Sequence, residues 1–170
     1  WGSSMITSRD ASAGRRWKRR GRILSDRSAD SRVPPIPDEI GAVFDADPAQ
    51  ARALALELRK LIYRIASELD EVPALTESLK WGEPSYAPSR PRIGTSVRIK
   101  PRNDGSVGLM FICHTDIVSR FQDLYCDELE FERKRAIIVR HSRQSREAVS
   151  HCVSMAMTWH LSNGGKRQPL

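Results

Sequence analysis

Paired cysteines are missing from this chain. Its 170 residues hold only Cys113, Cys126 and Cys152, with no CxxC spacing among them. An odd, scattered set excludes a disulfide framework and a thiolate metal cluster, and it fits free thiols in a reducing compartment. Long hydrophobic runs are missing too. The longest in mid-chain, Val107 to Cys113, is strand-sized and interrupted by Gly108, so no segment reads as membrane-spanning. The N-terminal region has no apolar core behind its charges, so no secretory signal is expected and the chain reads as cytoplasmic, without a membrane partner. Metal-ligand spacing is absent as well. There is no HxxxH; Cys113 and His114 diverge if they sit on a strand, and His151 and Cys152 diverge on a helix. No metal and no cofactor is expected.

What is present is an unevenly placed positive charge. The formal net charge is +7, but residues 1–32 hold nine Lys/Arg against three Asp, while the other 138 residues hold 19 basic and 18 acidic groups. The folded part is therefore nearly neutral, and nucleic acid is not expected as its partner. Only the tail keeps that option, where Arg15, Arg16, Lys18, Arg19 and Arg20 flank Trp17. Asp10, Asp26 and Asp30 interrupt any amphipathic targeting peptide there. The composition divides the chain into a disordered basic tail over 1–35, a domain over 36–163 and a short C-terminal tail over 164–170.

The segment Val33-Pro34-Pro35-Ile36-Pro37 is an extended connector that no helix can include. Asp47 and Pro48 then read as N-cap and first residue of a helix. Ala51, Leu54, Ala55, Leu58, Leu61, Ile62, Ile65 and Leu69 form its apolar face, with Arg52, Glu57, Arg59 and Lys60 over the remainder. From Thr95 to Lys100 the period becomes two, placing Val97 and Ile99 opposite Arg98 and Lys100. A turn with Asp104-Gly105 leads into a central strand over Val107 to Cys113. Thr115 caps a helix with Ile117, Val118, Phe121, Leu124 and Tyr125 on one face. Leu129–Glu132 and Ala136–Arg140 form another hairpin. A last helix from Ser145 turns Ala148, Val149, Cys152, Ala156 and Trp159 inward and stops at Asn163-Gly164-Gly165. Short loops between strands mean antiparallel pairing, and the expected class is α+β: a two-layer domain with an antiparallel sheet of about five strands and helices on one face. Arg98 and Lys100 then stand on the open face.

The run Glu77-Ser78-Leu79-Lys80-Trp81-Gly82-Glu83-Pro84-Ser85-Tyr86 resembles the signature of the YdhG-like family, small bacterial domains of unknown function. The likeness continues through Thr95-Ser96-Val97-Arg98-Ile99, an aromatic strand ending in Cys and Thr, Arg135-Ala136, and Ala156-Met157-Thr158-Trp159-His160. It covers about residues 40–161. Relatives carry His-Cys-Gln-Thr where this chain has Ile112-Cys113-His114-Thr115, and Gly-Asn where it has Arg133-Lys134. Since neither Arg nor Lys suits a two-residue turn, that loop is expected to be longer or differently shaped. The resemblance implies an α+β fold and a cytosolic bacterial protein. Through one branch similar to frataxin, it also implies iron delivery as an alternative.

Candidate site residues follow from residue type. Gly82 and Pro84 are a backbone device that ends one strand and fixes the next segment. Trp81 and Tyr86 read either as packing groups or as the floor of a pocket with Lys80 and Glu83 at its mouth. Arg98, Lys100, Arg135 and Arg140 form either a solvated face or a cationic patch for phosphate or carboxylate. The ligand-binding set is thus Lys80, Trp81, Glu83, Tyr86, Arg98 and Arg135, for an unidentified small ligand. No catalytic residue is assigned. Cys113 and Ser85 lack a recognisable base, and Glu83 is the acid/base candidate if the chain is an enzyme. Glu68, Asp70 and Glu71 are the nearest thing to a carboxylate iron site.

Overall fold

The structure is a computed structural model that describes residues 33–112 and 115–163. The basic segment 1–32, the C-terminal 164–170, Cys113 and His114 lie outside the described residues, and so do the expectations placed on them. The elements run α1 (Asp38–Asp45), α2 (Ala49–Glu68), β1 (Leu75–Lys80), β2 (Glu83–Pro88), β3 (Val97–Pro101), β4 (Val107–Met110), α3 (Ile117–Tyr125), β5 (Glu130–Glu132), β6 (Ala136–Val139), α4 (Arg146–Met157) and α5 (Trp159–Asn163). The α+β class holds. The sheet has six strands rather than about five, in the order β1-β2-β3-β4-β6-β5, every neighbouring pair antiparallel.

Turn chemistry sets the sheet's first hairpin. Trp81 and Gly82 have φ of 52° and 75°, and Lys80 pairs with Glu83 across them. Two left-handed residues make a turn whose twist matches that of the flanking strands. Gly82 adopts that geometry freely, whereas Trp81 is held there at a cost. The β2–β3 ladder is short, pairing only Ser85 with Arg98 and Tyr86 with Val97, because Pro84 and Pro88 bring no N–H to it. Between β5 and β6, three residues turn the chain and Arg133 has φ 51°, which is the longer loop expected of Arg133-Lys134.

Strand alternation sorts side chains to two faces. Tyr86, Val97, Ile99, Val107, Leu109 and Ile137 are buried under the helices. α2 supplies the matching surface, burying Leu54, Leu58, Leu61, Ile62 and Ile65, and α4 packs beside it with Val149, Cys152, Val153 and Ala156. Arg98, Lys100 and Met110 face away from the helices, on the open side. β4, between β3 and β6, is buried on both faces from Val107 to Leu109.

Several local expectations are corrected. Pro48 is the N-cap residue of α2, with no side-chain cap bond, so Asp47 does not cap it. Burial instead raises the Asp47 carboxyl above its usual range. Thr115 does not cap α3; Asp116 occupies that position, and the Thr115 hydroxyl donates to the Ile112 carbonyl at 2.7 Å. Leu124 is exposed rather than part of the buried face of α3. The last helix breaks at Thr158, leaving Trp159 on α5. Arg59, read as a solvated residue, is buried to 3% exposure.

The loop before β3 is locked to the end of α4. The Thr95 N–H donates to the Ala156 carbonyl at 2.8 Å, and the His160 N–H donates to the Ile93 carbonyl at 3.0 Å. Gly94 lies between these bonds with its α-carbon so close that a Cβ would overlap the Met157 carbonyl. Gly94→Ala is therefore expected to cost roughly 3 kcal/mol in urea unfolding, because backbone rather than a flexible side chain must move. Gly41→Ala is the control. It sits in α1, where a Cβ meets only Ile36 Cγ2 at 3.8 Å, and it is expected to gain about 0.5 kcal/mol from helix propensity.

Candidate functional site

The residues expected to share one pocket are separated by the pleat. Tyr86 faces the helix layer with 0% exposure, its ring edge-on to Tyr63 at 5.9 Å. Trp81 stands at the β1–β2 turn with 81% exposure. They share no cavity. Trp81 instead lies under the guanidinium of Arg98, whose carbon is 4.4 Å from the ring centroid. Arg98 Nη1 donates to Glu83 Oε2 at 2.8 Å, and Lys100 Nζ is 3.1 Å from Glu83 Oε1. Trp81, Glu83 and Arg98 thus form one cluster, with Lys80 opposite Glu83 in the register. Arg135 is elsewhere, past β4 at the start of β6, exposed, its carbonyl accepting the Phe111 N–H at 2.8 Å.

The expected cationic patch is a ladder of ion pairs. Arg140 donates to both oxygens of Glu130 at 2.8 and 2.7 Å and lies 3.5 Å from Asp104. Arg102 pairs with Glu132 at 2.7 Å. Hydrogen bonds from Arg140 hold the Glu130 carboxyl below its usual value, and those from Ser106 do the same for Asp104. Arg98, Lys100, Arg102 and Arg140 each meet a carboxylate, so a free anion binding any of these four would have to compete with it. Glu83 has both oxygens engaged by cations, which ties it to Arg98 and Lys100 rather than to proton transfer.

A buried cluster escaped the sequence reading. Arg59 Nε and Nη2 each donate to Glu77 at 2.7 Å, Tyr63 donates to Glu77 Oε2 at 2.9 Å, and Arg59 Nη2 reaches the Pro34 and Pro35 carbonyls at 3.1 and 3.4 Å. The Arg59 and Glu77 side chains are 3% and 6% exposed. Burial first, then the hydrogen bond to Glu77 for Tyr63 and the Glu77 charge for Tyr86, raises both phenols, which stay neutral. The signal was available in principle: Arg59 falls on the same stripe as Ala55 and Ile62, and Glu77 on the same strand face as Leu75 and Leu79. All its members are already paired within the cluster apart from the Tyr86 hydroxyl.

A concave surface lies on the helix side, in a groove of about 520 Å³ where the C-terminal ends of α2 and α3 meet α4, and a second, more polar recess of about 510 Å³ lies on the open face between Lys100, Arg102, Asp104 and Glu132. The floor of the helix-side groove is Ile65, Leu69 and Ala148. Glu68, Glu128 and Glu147 lie on its walls, one from each of three separate segments. Ser150 and Ser154 supply hydroxyls one turn apart on α4. Tyr125 Oη and His151 Nδ1 are 2.6 Å apart, with the rings edge-on at 5.8 Å. The phenol donates whenever Nδ1 carries no proton. α4 delivers Glu147, Ser150, His151 and Ser154 together because they recur at three- and four-residue steps. Ser145 anchors the helix start, its hydroxyl donating to the Glu128 carbonyl at 2.8 Å. Among the described residues no group of three His, Cys, Asp or Glu could hold a metal ion, and no helix is long and apolar enough to cross a membrane.

Cys126 and Cys152 flank this region with opposite reactivity. Cys126 is exposed, while burial pushes the Cys152 thiol up to about 12. Since the thiolate is the nucleophile, a fully buried thiol held protonated in this way is unreactive at pH 8. Iodoacetamide at that pH is expected to label the Cys126 peptide within minutes and leave the Cys152 peptide unlabelled until denaturant is added, as read by peptide mapping.

No family model, curated protein or solved structure matches this chain.

Proposed function

We propose that the chain is a YdhG-like domain of the bacterial cytoplasm that binds a small ligand without transforming it. The groove between α2, α3 and α4 is the observation that carries this reading. It is of ligand size at about 520 Å³, has an apolar floor, and carries a few polar groups at defined places. The resemblance over residues 40–161 agrees with the antiparallel sheet under a helix layer, and the free thiols of Cys126 and Cys152 agree with a reducing compartment. A binding role is favoured over a catalytic one because the polar groups best placed for chemistry already have partners. His151 Nδ1 is taken up by Tyr125, and Glu83 by Arg98 and Lys100. On the open face Arg98, Lys100, Arg102 and Arg140 are paired with carboxylates, and Trp81 is exposed at a turn.

Protein-observed NMR of the isotope-labelled chain with a fragment library tests the reading. Fragments are expected to bind, with chemical-shift changes at Tyr125, His151 and Ser154. Ser154→Phe, which fills the groove from a half-buried position, is expected to abolish binding while leaving the circular dichroism spectrum unchanged. Binding that survives Ser154→Phe, or shifts confined to Trp81 and Arg98, would place the ligand elsewhere.

A further inference from the structure

The treatment of negative charge differs between the two faces of the domain. On the open face, Glu83, Glu130 and Glu132 are each paired with a Lys or Arg, and Asp104 in the adjoining turn is paired as well. In the groove, none of Glu68, Glu128 and Glu147 forms an ion pair among the described residues, and no Lys or Arg lines the walls. The segment 33–163 nevertheless contains 17 basic side chains against 18 acidic. Among the described residues, Lys and Arg are abundant in the domain and line none of this cavity.

From this we infer that the ligand of the groove is an organic amine: a protonated nitrogen carried on an apolar body. The inference rests on the ligand-binding reading above and adds the chemical class. Three carboxylates around a recess set up a negative potential that concentrates cations and repels anions. Because the carboxylates come from three segments and form no metal-binding group, they suit a cation that spreads its charge over several N–H bonds. A bare metal ion would need them converged at bonding distance. The remaining walls fit the same occupant. Ile65, Leu69 and Ala148 offer an apolar surface for a hydrocarbon body. The Tyr125 ring can face a cation, and the Ser150 and Ser154 oxygens can accept from an ammonium. Discrimination falls out of the same arrangement: a carboxylate of the same shape would meet three like charges and no compensating donor from Lys or Arg.

The test uses the full chain and three shape-matched probes, 2-phenylethylamine, phenylacetamide and phenylacetate, titrated by NMR at low and physiological salt. The amine is expected to bind saturably with shifts at Tyr125 and His151, at least tenfold more tightly than the amide, and more weakly as salt rises. Phenylacetate is expected not to bind. The triple variant Glu68→Gln, Glu128→Gln, Glu147→Gln, all exposed positions, is expected to bring the amine to the affinity of the amide while the amide itself is unchanged. Equal binding of all three probes at the groove would overturn the amine inference and leave the ligand-binding reading standing. Binding of none of them would overturn both.

Discussion

One buried ion pair holds the two layers of this domain together. Arg59 comes from the middle of α2, Glu77 from the middle of β1, and they meet through two hydrogen bonds at 2.7 Å, almost fully out of water. Desolvating two charges is costly, and only paired geometry with further hydrogen bonds offsets it. Here those extra partners are supplied. Tyr63 donates to the carboxylate, and the guanidinium also donates to the carbonyls of Pro34 and Pro35. The pair therefore fixes three things at once: where α2 sits along the sheet, where the edge strand β1 ends up, and where the connector enters the fold. Tyr86 seals the cluster from below as the cross-strand neighbour of Glu77. Everything farther along α2, including Ile65 and Glu68 at the groove and Leu69 just past the helix end, inherits its position from that anchor.

The two faces of the protein then use polar residues in opposite ways. The open side of the sheet has exposed or half-exposed cations, and it neutralises most of them pairwise across the strands. Such pairs contribute little stability individually, but they leave a surface with little net field. The inner face of the helices is largely apolar, and where α2, α3 and α4 diverge the chain leaves Glu68, Glu128 and Glu147 around a recess without an ion pair among the described residues. The contrast gives the groove its electrostatic character, since the domain as a whole is close to neutral.

Local patterns made a good part of the fold legible. The apolar period of residues 51–65 identified α2, and alternation with Asp104-Gly105 identified β3 and β4, because each pattern reports burial by one neighbouring layer. The open face was correctly assigned to Arg98 and Lys100 for the same reason. Legibility ended where a polar residue does a core residue's job. Arg59 occupies a core position on α2, but its charge pointed to solvent, and Glu77 breaks the alternation that would have announced β1. Trp81 and Tyr86 were grouped because they are five residues apart; the pleat and a left-handed turn send them to different environments. The groove was invisible, since its walls come from residues 65–69, 125–128 and 147–154, and no local period relates three separate segments. Glu68 was noticed only as part of a carboxylate run at a helix end.

A double-mutant cycle across Arg59 and Glu77 tests this account at its centre. Unfolding in urea would be measured for the wild type, Arg59→Met, Glu77→Leu and the double variant. If the pair is the anchor between the layers, each single change strands a buried charge and costs about 3–5 kcal/mol, while the double variant loses far less than their sum, with a coupling of about 2 kcal/mol or more. Single losses below about 1 kcal/mol that add to within about 0.5 kcal/mol in the double variant would contradict it.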